Sequence, residues 1–192
     1  MEVKKEDRRV RRTRRMLKQG LAELMEEKNF KDITVKDITD TMDLNRGTFY
    51  LHYTDTYDLL EKLENETLAD FQAMIDAYVP SADQRTLTPL LQPIAEYIVE
   101  NASICRSLFE NQASHDFVVK FQTMIRDNGN KMIAEKYPTA VTPAMDYFFG
   151  FMTFGLIGVI RQWFSSDMSL DTKELVFVAD RIITAAAEAM LK

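Results

Sequence analysis

Apolar residues recur at intervals of three and four along nearly the whole chain, the spacing of helices with one buried face. Leu17, Leu21, Leu24 and Met25 form the first such stripe, extended backwards by Val10 and Thr13, and predict a helix over residues 8–28. A short second helix opens at Thr34, whose hydroxyl is suited to accept a hydrogen bond from a free N–H of the first turn. Asp37, three residues on, is a weaker capping-box partner than Glu or Gln. Val35, Ile38 and Met42 are its core face, and it stops near Asp43. Asn45 can cap a third helix over 46–52, so two short helices are joined by Met42-Asp43-Leu44, a helix-turn-helix layout. Asp43 falls where such a turn needs a positive φ, which Asp tolerates better than most residues with a side chain.

A fourth stripe, Leu59, Leu60, Leu63, Leu68, Phe71, Met74, Ile75 and Tyr78, predicts a long helix over 56–78 and a candidate lever between an N-terminal head and the rest. After a polar linker at 79–88, helices are expected at 89–101, 103–111, 116–137, 143–165 and 172–192. No stretch alternates with period two, and there is no internal repeat. The fold class is therefore all-α with about nine helices. A three-helix head occupies 1–55 and a helical body 56–192.

Composition agrees. Hydrophobic residues are 46% of 192, enough for a core, and six Gly and five Pro are few, as helices require. The first twenty residues lack the apolar segment of a signal peptide. The stretch from Tyr147 to Ile160 is apolar but, at 14 residues, shorter than the ~20 of a membrane span, so it reads as a buried helix. The single cysteine, Cys105, excludes an internal disulfide and suits a reducing, cytoplasmic setting. It reads as a packing residue ahead of a redox sensor.

Charge is uneven. The net is −6, yet residues 1–20 hold nine basic and three acidic groups, net +6, whereas residues 61–192 hold eleven basic and eighteen acidic, net −7. A basic head on an acidic body keeps nucleic acid in view despite the total. Catalysis has no foothold. His52 and His115 lie far apart, no cluster of Cys or His has metal-ligand spacing, and no Gly-rich phosphate loop exists. Glu61, Glu64 and Glu66 read as a solvated helix face. Neither an enzyme, a metal nor a cofactor is expected.

Residues 33–53 carry the most specific signal: Thr34-Val35 opening the second helix, the tight turn, then Thr48, Tyr50, His52 and Tyr53, followed by Leu59-Leu60. This pattern resembles the signature of the TetR (tetracycline-repressor) family over about residues 8–65. Gly155 to Phe164 also resembles a subgroup related to regulators of dihydroxyacetone kinase. The resemblance implies a homodimeric regulator whose two heads enter successive major grooves of a palindromic operator, half-sites ~34–36 Å apart. It implies a repressor released by a small-molecule effector held in the body. The alternative is a regulator whose body docks a protein instead.

Arg46, at the start of the recognition helix, can bind guanine O6 and N7 in a bidentate manner, or a phosphate. Gly47 lets the backbone approach DNA, and Thr48 suits a thymine methyl or a phosphate. By the resemblance, Lys36 reaches the groove while Tyr50 and His52 contact phosphates. Thr34, Asn45 and Arg14 complete the DNA-facing set, with Arg11 and Arg15 beside it and the arm before them suited to a minor groove. Two departures stand out. Thr56, and in many comparisons Thr54, replace lysines of the family pattern, which lowers the number of charged phosphate contacts. Met42 replaces a small residue.

In the body, Phe71, Met74, Ile94, Ile98, Phe109, Phe121, Met124 and Phe148 are candidate pocket residues, each more simply read as core. The helix at 143–165 is apolar nearly all round and needs cover, with Gly150, Gly155 and Gly158 permitting close approach. Phe151, Phe154, Gly155, Gly158 and Trp163, with Val178, Ile182 and Ala186 of the last helix, are the candidate dimer interface, a four-helix arrangement of two helices per subunit.

Overall fold

The computed structural model describes residues 8–79, 86–136 and 143–191. Their regular structure is α1 (Arg8–Glu27), α2 (Val35–Thr41), α3 (Arg46–Tyr50), α4 (Thr56–Ala77), α5 (Thr88–Glu100), α6 (Ala102–Glu110), α7 (His115–Lys136), α8 (Ala144–Ser165) and α9 (Thr172–Leu191). Two single 3-10 turns, Phe30–Asp32 and Gln112–Ser114, were not expected. No strand occurs among the described residues, so the all-α reading stands. The basic arm before Arg8 and most of the linker, 80–85, lie outside the described residues.

Two compact units divide the chain. The first runs to Glu66 and takes in Ser103–Ser114; the second comprises Thr67–Ala102 and His115–Lys192. The first half of α4 and nearly all of α6 thus count with the head. In that unit α1 buries Leu17, Gly20, Leu21, Ala22, Leu24 and Met25, the expected stripe, while its arginine-rich first half stays outside the core. α1 packs on α2 and α2 on α3, with Phe30, Ile33, Phe49 and Tyr53 buried in the same unit. Asn111 donates to the Met25 carbonyl at 3.1 Å and fastens the end of α6 to α1. Cys105, Leu108 and Phe109 of α6 are fully buried.

The turn between α2 and α3 is built as anticipated. Asp43 has φ 51°, the Leu44 N–H donates to the Thr39 carbonyl at 2.8 Å, and the Asp43 N–H donates to Asp40. This pair of bonds is a Schellman motif with Asp where Gly is commonest. It satisfies the carbonyls that a seven-residue helix leaves open. α4 is capped by Asp55, the residue before it, whose carboxylate accepts from the Asp58 N–H at 2.8 Å.

In the second unit α5 packs on α9, α7 on α8, and α8 on α9. The Asp180 carboxylate of α9 accepts from the Leu87 N–H at 2.6 Å and the Thr86 hydroxyl at 2.7 Å, supplying the cap that α5 lacks in its own sequence. Gly129 of α7 makes room for Phe149 of α8: a Cβ there would lie 2.2 Å from the Phe149 ring. α8 is 22 residues long, and by length and composition it is apolar enough to cross a membrane. One side carries Phe149, Met152, Ile157, Ile160, Trp163 and Phe164 into the core. The other side is open, so this helix is only partly buried within the chain.

Candidate functional site

The helix-turn-helix sets out most of the residues expected to meet DNA. Asn45 caps α3 through its side-chain oxygen, which accepts from the Gly47 N–H at 2.7 Å, leaving its amide N–H groups available. Arg46 and Gly47 are exposed, Thr48 is half-buried, and Tyr50 is 58% exposed. No ion pair among the described residues holds Arg46. Its guanidinium is charged and solvated, the state a base- or phosphate-contacting group needs before binding. Phe49, between them, is fully buried and stacks edge-on against Tyr50 at 5.5 Å, so the short helix hangs on that ring. His52 lies half-buried just past the end of α3. Lys36 is exposed, with only a loose pairing to Asp40 at 3.9 Å.

Thr34 does not fit its expected role. Its hydroxyl accepts from the Asp37 N–H at 3.2 Å and donates to the Asp37 carboxylate at 2.8 Å, while its own N–H donates to the same carboxylate. Both protons it could offer to a phosphate are spent on a complete capping box. The Thr34 N–H, and then Lys28 at 3.0 Å, pull Asp37 down to about 2. Thr56 is likewise withdrawn, only 8% exposed, so of the two threonines standing for lysines only Thr54 faces solvent. The basic surface comes from α1, where Arg8, Arg9, Arg11, Arg12 and Arg15 are exposed and Arg14 is half-buried.

Cys105 is sealed, and burial pushes its thiol up to about 12. A thiol so far from ionising is a poor sensor at neutral pH.

The second unit holds a partly open cavity of about 270 Å³. Six of the eight anticipated residues line it: Phe71, Ile94, Ile98, Phe121, Met124 and Phe148. Met74 is not among the lining residues, and Phe109 is a fully buried core residue of the other unit. Sequence reasoning missed Asn128 and Gly129, which line the cavity beside Phe149. The signal was present, since Asn128 interrupts the stripe Phe121, Ile125, Met132 at helical spacing.

Along the open side of α8, Tyr147 is 84%, Phe151 75% and Phe154 67% exposed, and Gly150, Gly155 and Gly158 have nothing near their missing Cβ atoms. Phe177, Val178 and Ile182 of α9 are exposed as well, and Ala186 is half-buried. Trp163 departs from the expected set. It is buried within its own unit, its indole N–H donating to the Leu170 carbonyl at 2.9 Å.

Comparison with known proteins places the chain by sequence and by fold. Residues 85–185 match a model of a TetR transcriptional-regulator C-terminal region. Over 65 residues, a third of this chain, the sequence is 37% identical to an uncharacterised HTH-type transcriptional regulator of Bacillus subtilis; the match spans 17% of that protein's length. Among solved structures, the fatty acid degradation regulator FadR of Bacillus halodurans is similar in fold, with 12% identity, a TM-score of 0.70, and 94% of this chain and 97% of that one covered. A TetR transcriptional regulator of Streptococcus agalactiae gives 20% identity and a TM-score of 0.58 over 93% and 97%. DhaS, an activator of a dihydroxyacetone kinase operon, gives 17% and 0.58 over 93% and 96%.

Proposed function

The chain belongs to the TetR family of transcriptional regulators, and from that premise we propose that it acts as a homodimer on a palindromic operator, as a repressor released by a small-molecule effector. The observation that carries the reading is the exposed start of α3, where Arg46, with no ion-pair partner among the described residues, stands next to Gly47 and Tyr50. Arg46 reads a guanine edge; Tyr50, His52, the Asn45 amide and the α1 arginines hold phosphates. The open faces of α8 and α9 are covered by the same faces of a second copy, the self-complementary geometry of a two-fold dimer.

Release follows from population. An effector in the cavity of the second unit dislodges the dimer only if it binds the DNA-incompetent arrangement more tightly than the competent one. A regulator of this kind works where the chromosome is.

The test is selection of duplexes from a random-sequence library at two salt concentrations. The expected result is an inverted repeat with half-site centres about 10 base pairs, or a multiple, apart, bound less tightly at higher salt. Arg46→Ala should cost about 1–3 kcal/mol on that site and relax one position of each half-site. Recovery of no preferred sequence by a folded dimer would overturn the reading.

A further inference from the structure

The cavity that the proposed regulation rests on is selective in its chemistry. Among the described residues its lining is aliphatic and aromatic, with no Asp, Glu, Lys, Arg or His, and the one polar side chain among them is Asn128. That amide is held in a closed exchange with Gln72. Asn128 Nδ2 donates to Gln72 Oε1 at 2.8 Å and to the Met124 carbonyl at 2.8 Å. Gln72 Nε2 donates to Asn128 Oδ1 at 3.1 Å and to the Asp76 carboxylate at 2.7 Å. All four amide hydrogens are therefore used. What remains is acceptor capacity, because each carbonyl oxygen has two lone pairs and takes one bond here.

We infer that the effector of this site is an uncharged, mostly apolar molecule carrying a single hydroxyl or N–H that donates to Asn128. A carboxylate or ammonium entering the cavity loses its water and meets no counter-ion, so it is excluded or must first be neutralised. The nearest formal charge in the network is that of Asp76, which is exposed and already holds Gln72. A ligand whose only polar atom is an acceptor, such as an ether or ketone, finds no donor. Size narrows the class further. A cavity of about 150 Å³ takes benzene, so 270 Å³ admits a ligand of about eleven non-hydrogen atoms. Met124 and Met132 give the wall some freedom to follow the ligand's shape.

The experiment uses the whole 192-residue chain and titration calorimetry with four probes of nearly equal size: 1-decanol, its isomer 1-methoxynonane, decanoate, and the decylammonium ion. 1-Decanol is expected to bind. The ether should bind about tenfold more weakly, and the two ions about a hundredfold more weakly or not at all. Asn128→Leu should erase the preference for the alcohol over the ether while leaving ether binding unchanged, a readout that a merely structural role would not move. Ile94→Trp, which fills the cavity, should abolish binding of both; if that variant does not fold, the Asn128→Leu comparison decides. Equal or tighter binding of either ion, equal binding of the ether, or binding of none of the four would overturn the assignment. Adding each probe to the protein–operator complex separates this from the regulatory reading. Release by decanoate alone would sink the ligand class and keep the effector mechanism. Binding of 1-decanol with no effect on DNA would sink the mechanism and keep the ligand class.

Discussion

A single carboxylate decides how α2 begins. Asp37 takes the Thr34 N–H and hydroxyl and the Lys28 ammonium, and these partners hold its pKa at about 2 against an ordinary 3.8. A carboxyl held below its unfolded value stabilises the fold fully above pH 3.8, and that contribution is lost as the pH falls towards 2. Asp37→Asn is expected to flatten the acid limb of the stability profile in that window, as read by helical signal against pH. Thr34→Ala should cost about 1 kcal/mol at neutral pH, the usual worth of a lost N-cap, measured by denaturant unfolding. The cap itself was legible in the sequence, because Thr and Asp three residues apart form a local pattern. What was not legible is that a finished cap leaves Thr34 no hydrogen to give to a phosphate.

A second residue-scale pairing explains the bulky Met42 in the helix-turn-helix. Gly20 of α1 lies against it, and a Cβ on Gly20 would sit 2.7 Å from Met42 Cγ. The large side chain on α2 is accommodated by the absent one on α1. Gly20→Ala, which in an exposed helix would gain about 1 kcal/mol, should here destabilise by about 1–3 kcal/mol. Adding Met42→Ala should reverse the sign of the Gly20→Ala effect. A thermal double-mutant cycle reads the coupling, and additive effects would refute the contact. Sequence reasoning saw Met42 as odd but had no means of pairing it with a residue twenty-two positions earlier.

At the scale of elements, α7 carries an unusual run, Asp127-Asn128-Gly129-Asn130, in its interior. Each of these residues disfavours helix, together by about 2–3 kcal/mol relative to alanine. The run persists because it is where α7 meets α8 and the cavity. Gly129→Ala should therefore fail to stabilise, since its methyl would lie 2.2 Å from the Phe149 ring. The expected result is a lower melting temperature and loss of cavity ligands, with Phe149→Leu restoring part of both. Most helix limits, by contrast, could be read within a residue or two, since long amphipathic stripes such as Leu59 to Ile75 announce themselves. Two elements escaped. The 3-10 turns span three residues each, too few to show a period; α3 itself ends at Tyr50, two residues before the expected limit.

At the scale of the molecule, α8 and α9 leave a broad apolar surface uncovered. Tyr147, Phe151, Phe154 and Phe177 are each more than 60% exposed, a cluster that a lone soluble chain rarely keeps. Phe154→Glu is expected to weaken self-association by about a hundredfold, because a large contact is lost and a carboxylate must be desolvated. Sedimentation should show monomers with unchanged helical content, and full-sized dimers would argue against this face. The apolarity of the 143–165 helix pointed here from the start. Trp163 is buried instead, since an indole on an apolar helix gives no sign of which side it takes until a partner for its N–H, the Leu170 carbonyl, is known.

The positions of Trp163 and Cys105 have a further consequence. They are the chain's only tryptophan and only cysteine, both buried, and they fall in different units. The protein thus carries two built-in reporters. Thiol capture at Cys105 clocks the opening of the unit that holds the helix-turn-helix, and indole fluorescence tracks the unit that holds the cavity. Coincident transitions would mean that the units melt as one cooperative body. A Cys105 that becomes reactive while Trp163 stays shielded would mean that the head opens on its own, at a free-energy cost lower than that of global unfolding.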